Sequence, residues 1–93
     1  MIRSFRCADT ERLFSGERVR EFEAIESGAR RKLAMVNAAH ELDDLKAPPG
    51  NHLEKLRGDR DGRHSIRIND QWRVCFEWKD GNAHNVEITK HYQ

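Results

Sequence analysis

The stretch HSIRINDQWRVCFEW, residues 64–78, holds two residues whose type and spacing point directly to chemistry, Arg67 and Arg73. Read at period two, His64, Ile66, Ile68, Trp72, Val74, Phe76 and Trp78 share one face of a hairpin. Arg67, Arg73, Cys75 and Glu77 share the other. The apolar set stays together only if the turn through Asn69, Asp70 and Gln71 preserves parity, which pairs Ile68 with Trp72. That register sets Arg67 opposite Arg73, and like charges across a strand pair cost stability. Two arginines held side by side on an uncovered sheet face point to an anionic ligand, and the planar guanidinium fork matches phosphate.

The surrounding charge adds to this. Between Glu54 and Arg73 stand the cations Lys55, Arg57, Arg60, Arg63, Arg67 and Arg73, against Glu54, Asp59, Asp61 and Asp70. Such a mixed run is ordinarily a solvated surface. Lys55 and Arg57 also suit phosphate contacts that position a nucleic acid without reading its sequence. The net charge of the whole chain is only +1, so overall charge does not announce a nucleic-acid binder.

Composition bounds the remaining classes. A 93-residue chain with 37% apolar and 35% charged residues reads as one domain, 1–93, with a thin core and a polar surface. No stretch approaches the roughly 20 apolar residues that span a bilayer. The opening MIRSFR runs into a strand-like pattern without a secretory apolar region, so a cytoplasmic protein is the expectation. Cys7 and Cys75 are expected to be reduced thiols rather than a disulfide framework. The five histidines, at 40, 52, 64, 84 and 91, lack the spacing of a zinc site. DRDG, Asp59 to Gly62, fails as a calcium loop, because Arg57 and Ile68 fall where its first and twelfth ligands belong.

The elements that must position these residues follow from periodicity. Residues 2–6 predict a first strand, and ADTERLF, Ala8 to Phe14, a short helix ended by Gly16. From Val19 to Leu45 the apolar residues Phe22, Ile25, Ala29, Leu33, Val36, Ala39, Leu42 and Leu45 recur at helical spacing. Ser27-Gly28 interrupts the run, with Ser27 as N-cap of the main helix. Arg30-Arg31-Lys32 lies off the apolar stripe and reads as a solvated face. Pro48-Pro49-Gly50 ends the helix. Leu53 to Arg57, the turn Gly58 to Gly62 and the hairpin follow, then an Asp80-Gly81 turn and a last strand, Ala83 to Thr89. The result is an α+β domain, two helices packed on one face of a small antiparallel-rich sheet. Trp72 and Trp78 belong to its core, while Arg67 and Arg73 face the open side with nothing to pair them.

Four segments carry a family resemblance: MIRSFRCADTERLF, RRKLAMVNAAHELDDL, PPGNHLEKLRGDRDGRHSIRINDQWRVCF and the closing KHYQ. Together they resemble the HigB toxins of the RelE superfamily, from type II toxin–antitoxin systems. The resemblance implies a RelE-like microbial-ribonuclease fold and a cofactor-independent endoribonuclease that cleaves messenger RNA in the ribosomal decoding site. It also implies a HigA-like helix-turn-helix antitoxin, with operator DNA bound only through the antitoxin complex. In the related YoeB branch the catalytic set is a glutamate before the basic strand, an arginine after the hairpin turn and a terminal His-Tyr. Their matches here are Glu54 in LEKL, Arg73 in QWR, and His91-Tyr92 in KHYQ. Many HigB toxins instead close Tyr-His and carry histidine where Glu54 stands, so the base and acid roles stay open among Glu54, His91 and Tyr92.

The residue types fit such chemistry independently. RNA can be cut without metal when its own 2′-hydroxyl attacks the adjacent phosphate. A base removes that proton, an acid protonates the departing 5′ oxygen, and cations hold the added negative charge. DNA lacks the attacking group. Two other functions compete: a non-catalytic RNA- or ribosome-binding module, and a domain whose basic face only docks an acidic protein. Glu54 together with His91 favours cleavage, since binding a polyanion gains nothing from a carboxylate.

Overall fold

The alternating apolar residues of the second half of the chain form an antiparallel sheet, because period-two patterning buries one face of each strand. In the computed structural model, which describes residues 1–56 and 62–90, its strands are β1 (Glu54–Lys55), β2 (Arg63–Arg67), β3 (Trp72–Lys79) and β4 (Asn82–Lys90), in the order β1-β2-β3-β4. Parity across the β2–β3 turn is the expected one, with Ile66 opposite Val74 and Arg67 opposite Arg73. Asn69 sets that turn, its Oδ1 accepting from the N–H groups of Gln71 and Trp72 at 2.8 and 2.9 Å. The β3–β4 turn has positive φ at both Asp80 (53°) and Gly81 (76°), the conformation that Asp-Gly favours.

Two α-helices, α1 (Ala8–Phe14) and α2 (Glu26–Ala38), pack on one face of this sheet, giving the α+β fold. Gly16, at φ 98°, terminates the α1 region as expected. Leu13, Phe22, Leu33, Val36 and Leu45 from the helical half meet Ile66, Val74, Phe76 and Val86 from the sheet, all nearly or fully buried. Trp72 packs edge-on against Phe22 with ring centres 5.6 Å apart, and Trp78 edge-on against Phe76, so both belong to the core side.

Several local expectations are corrected. Residues 2–6 do not form a regular strand; Ile2 and Phe5 make isolated parallel bridges to Ala83 and Val86, along the free edge of β4. Asn85, at φ 51° between those two partners, breaks the ladder. Ser27 is not an N-cap but lies within α2, whose N-cap position is Ile25. Buried Phe22 and Ile25 pull a 3-10 turn, Arg20–Ile25, onto the core, and the chain enters α2 from there. Gly28 does not interrupt the helix; a Cβ there would lie 3.6 Å from the Ile68 side chain, an ordinary contact.

Nor does α2 continue to the prolines. Ala39 is extended, and a separate 3-10 turn, Leu42–Lys46, follows with its own cap, the Asp44 carboxylate accepting from the N–H groups of His40 and Glu41. The break lets Leu45 enter the core from a different direction, at 1% exposure. Lys32 departs from the solvated face expected of Arg30-Arg31-Lys32: it is buried, and its ammonium donates to Asn51.

Candidate active site

The face of the sheet away from the helices is not an open surface. Arg63, Ser65, Arg73 and Cys75 are all buried on it. The expectation that Arg67 and Arg73 lack partners is therefore corrected. Although their backbones are paired in register, the two guanidinium groups turn apart. Arg67 pairs with Asp70 of the turn, while Arg73 turns inward toward β2 and the segment before β1.

Arg73 is held from two sides. Its Nε donates to Ser65 Oγ at 2.8 Å, and its Nη2 donates to the His52 carbonyl at 2.6 Å and more weakly to the Ser65 carbonyl at 3.4 Å. Both acceptor residues were absent from the sequence-derived set. Ser65 was within reach of that reasoning, since it alternates with Arg63 and Arg67 on the polar face. His52 was not, because its carbonyl is aimed by a left-handed backbone, φ 43° and ψ 58°, that only the preceding 3-10 turn Pro49–Asn51 produces.

All of these hydrogen-bond acceptors are neutral. They fix the plane of a buried guanidinium through neutral oxygens. Among the described residues the nearest carboxylate is Glu54 on β1, with Oε2 at 4.0 Å from Arg73 Nη2 and about half its side chain open to solvent. Antiparallel pairing of β1 with β2 sets Glu54 opposite Ser65, which accounts for this proximity.

His52, Glu54, Arg67, Asn69, Asp70 and Arg73 line a single open cleft of about 300 Å³. It therefore gathers the predicted residues Glu54, Arg67 and Arg73. Lys55 is not among them. It pairs with His64, and strand alternation turns it to the opposite side from Glu54. There its charge, added to the stronger effect of burial, holds the His64 imidazole below its ordinary range. The predicted residues Arg57, His91 and Tyr92 lie outside the described residues.

Chemically, the cleft presents a fixed cation beside an accessible carboxylate, with a second arginine at its rim. A phosphate bound at Arg73 would bring a neighbouring hydroxyl within the neighbourhood of Glu54. The arrangement suits stabilising charge on a phosphoryl group while a proton is withdrawn beside it.

The comparisons agree with the fold. A family described as the RelE-like toxin of the type II toxin–antitoxin system HigB matches residues 3–91. Toxin HigB-1 of Vibrio cholerae is 44% identical over 68 residues, covering 73% of this chain and 72% of the relative. An uncharacterised protein of Haemophilus influenzae is 36% identical over 61 residues, covering 66% of this chain and 60% of that protein. With nearly the whole chain matched and the α+β fold in place, the protein belongs to the HigB family of RelE-like toxins of type II toxin–antitoxin systems.

Proposed function

We propose that residues 1–93 act as one toxin domain, a ribosome-dependent endoribonuclease that inhibits translation by cutting messenger RNA in the decoding site without a metal. The observation that carries this reading is the buried Arg73 guanidinium, fixed by neutral oxygens beside the accessible Glu54 carboxylate. A surface built only to hold a polyanion gains nothing from that carboxylate, and a purely structural arginine would have its charge cancelled.

In the proposed reaction Glu54 takes the proton of the 2′-hydroxyl as it attacks the phosphorus. The bond to the 5′ oxygen breaks, leaving a cyclic phosphate and a free 5′-hydroxyl end. Arg73 holds the additional negative charge of the transition state, and Arg67 holds a flanking phosphate once Asp70 releases it. The family resemblance places His91 and Tyr92 in the catalytic set; we propose His91 as the acid that protonates the departing 5′ oxygen and Tyr92 as the group that orients the nucleotide. By their charge, Arg57, and Lys55 outside the cleft, are proposed as further phosphate contacts that position the RNA.

Ribosome dependence follows from charge. A domain of net charge +1 lacks the field that gives tight binding to free RNA, whose backbone dominates affinity. The ribosome presents the message already in place and so lowers the entropic barrier. Membership of the family implies an antitoxin partner. We propose that this partner is a HigA-like helix-turn-helix protein and that operator DNA is reached only through the complex.

The test is expression of the chain alone, followed by primer extension on a reporter message. Growth arrest with new 5′ ends, relieved by the antitoxin, is the expected outcome. His91→Ala should then slow single-turnover cutting on programmed ribosomes, by about 10²-fold or more. An abundant, folded chain that leaves growth and messages intact overturns the proposal, and equal cutting of naked RNA removes its ribosome dependence.

A further inference from the structure

The most deeply buried charged group on the helical side of the molecule has no part in the reaction described above. Lys32, on α2, is 8% exposed, and its ammonium donates to Oδ1 of Asn51, which is fully buried. Burial, and secondarily the neighbouring charge of Arg31, lower the Lys32 pKa from its ordinary value. A buried ammonium costs stability that an apolar residue of similar size would not. Its contact accounts for that cost.

Accepting from Lys32 fixes which way the Asn51 amide faces. Its Nδ2 then donates to the carbonyls of Leu45 and Ala47, each at 3.2 Å, closing the segment 45–51 on itself. The Asn51 N–H donates to the Pro48 carbonyl at 2.9 Å and the His52 N–H to the Pro49 carbonyl at 3.2 Å. His52 leaves this clamp in the left-handed region, a conformation a residue with a side chain adopts only where its surroundings impose it. That conformation aims the His52 carbonyl at Arg73 Nη2. Ser65 holds one edge of the guanidinium and the His52 carbonyl the other, so two points fix its plane.

We infer that Lys32 and Asn51 are positioning residues for Arg73, acting through the His52 main chain to set the plane of the guanidinium. This rests on the ribonuclease reading for its effect on rate, but not for its effect on Arg73 itself. A guanidinium free to pivot about Ser65 still attracts phosphate. It no longer meets the transition state in one orientation, so the chemical step suffers rather than binding.

The test uses Lys32→Met and Asn51→Asp in the full chain, with Val36→Ala as reference. Val36 is fully buried one turn further along α2, and its truncation loosens the core without touching the clamp. Asn51→Asp keeps an acceptor for Lys32, now ion-paired, but removes both N–H donors, so the fold is supported while the clamp is lost. Each protein is studied at temperatures where circular dichroism reports it folded. The Arg73 Nε–H signal is followed by NMR, and single-turnover cleavage is measured over a range of programmed-ribosome concentrations.

In both clamp variants we expect the Arg73 signal to move or broaden. The saturating rate should fall on the order of 10- to 100-fold, with half-saturation changed by no more than about twofold. Val36→Ala should lower the melting temperature while leaving the signal and the rate per folded molecule in place. Clamp variants that match Val36→Ala in signal and rate overturn the inference. If the wild-type protein cuts no message, the ribonuclease reading fails, and the Arg73 signal still decides the clamp.

Discussion

Two arginines on the same face of the sheet are almost equally buried, Arg63 at 5% and Arg73 at 6%, yet they are held in opposite ways. Arg63 donates to Glu87 at 3.0 Å and to Glu77 at 3.3 Å, with the Asn85 carbonyl also at 3.3 Å, and Arg6 adds a second cation at 3.6 Å from Glu87. Its charge is cancelled. Arg73 is bonded to a hydroxyl and two carbonyls, and among the described residues the carboxylate that comes within 4.0 Å is that of Glu54, in the same open cleft. Its charge is kept. The difference separates an arginine that joins β2, β3 and β4 from one that, on the proposed reading, meets the phosphate, and burial alone does not distinguish them.

Replacing each by alanine tests the contrast most severely. Arg73→Ala should abolish toxicity and slow cutting by about 10²- to 10³-fold or more, as the loss of a fixed transition-state donor does. Its fold should survive, somewhat weakened because Ser65 and the His52 carbonyl lose their donor. Arg63→Ala should do the reverse. It leaves Glu77 and Glu87 without their shared cation, costing about 2–3 kcal/mol, below the roughly 3–5 kcal/mol of breaking a fully buried pair, since Glu77 is nearly half open to solvent and Glu87 keeps Arg6. For a domain of this size that is a fall of roughly 10–20 °C in melting temperature. Cleavage per folded molecule should remain near wild type. Thermal melts paired with single-turnover assays decide; an Arg63→Ala protein that is stable but inactive would erase the distinction.

Glu54→Gln sharpens it next. The amide keeps the shape of the side chain and cannot take a proton, so the cutting rate should drop by about 10²-fold or more with ribosome affinity unchanged. A loss of affinity instead would make Glu54 a positioning group. Weaker effects are expected at the rim. Arg67→Ala should reduce cutting less than about tenfold, through one surface phosphate contact, whereas Asp70→Asn frees Arg67 and should tighten binding slightly. Salt titration of ribosome binding for the two variants measures this.

The smallest effect concerns the opposite side of β2. His64 is held below its ordinary pKa by burial and then by Lys55, so the folded protein binds fewer protons there than the unfolded chain. Stability should therefore fall as pH drops below about 6.5 toward the lowered native value, and level off above neutrality. Denaturant midpoints between pH 7.5 and 5.5, for wild type and His64→Gln, should show a shallower slope in the variant.

The family resemblance and the α+β architecture were legible in the sequence, and so was the Arg67–Arg73 register. Period-two and helical spacing report which residues are buried, and Asp80-Gly81 encodes a local backbone preference that needs no distant partner. Glu54 came from its place in LEKL, and β1–β2 pairing brings it beside Arg73. What failed were inferences about neighbours remote in sequence. Helical spacing continued through Leu42 and Leu45, but core packing turned the chain at Ala39. The run Arg30-Arg31-Lys32 looked solvated, but Asn51, 19 residues away, buried its last member.

The residues themselves therefore determined the alternation of the sheet, the position of its turns and the two arginines on one face. Whether those arginines would stand free was decided only by tertiary structure. A side chain's charge is cancelled or kept by groups that folding brings to it, and Arg63 and Arg73 have the same local pattern. Glu77 and Glu87 reach the first through strand pairing, while the left-handed turn at His52, clamped from α2 by Lys32 and Asn51, offers the second a neutral carbonyl. Electrostatic environment is a property of three-dimensional proximity, and no spacing along the chain encodes it.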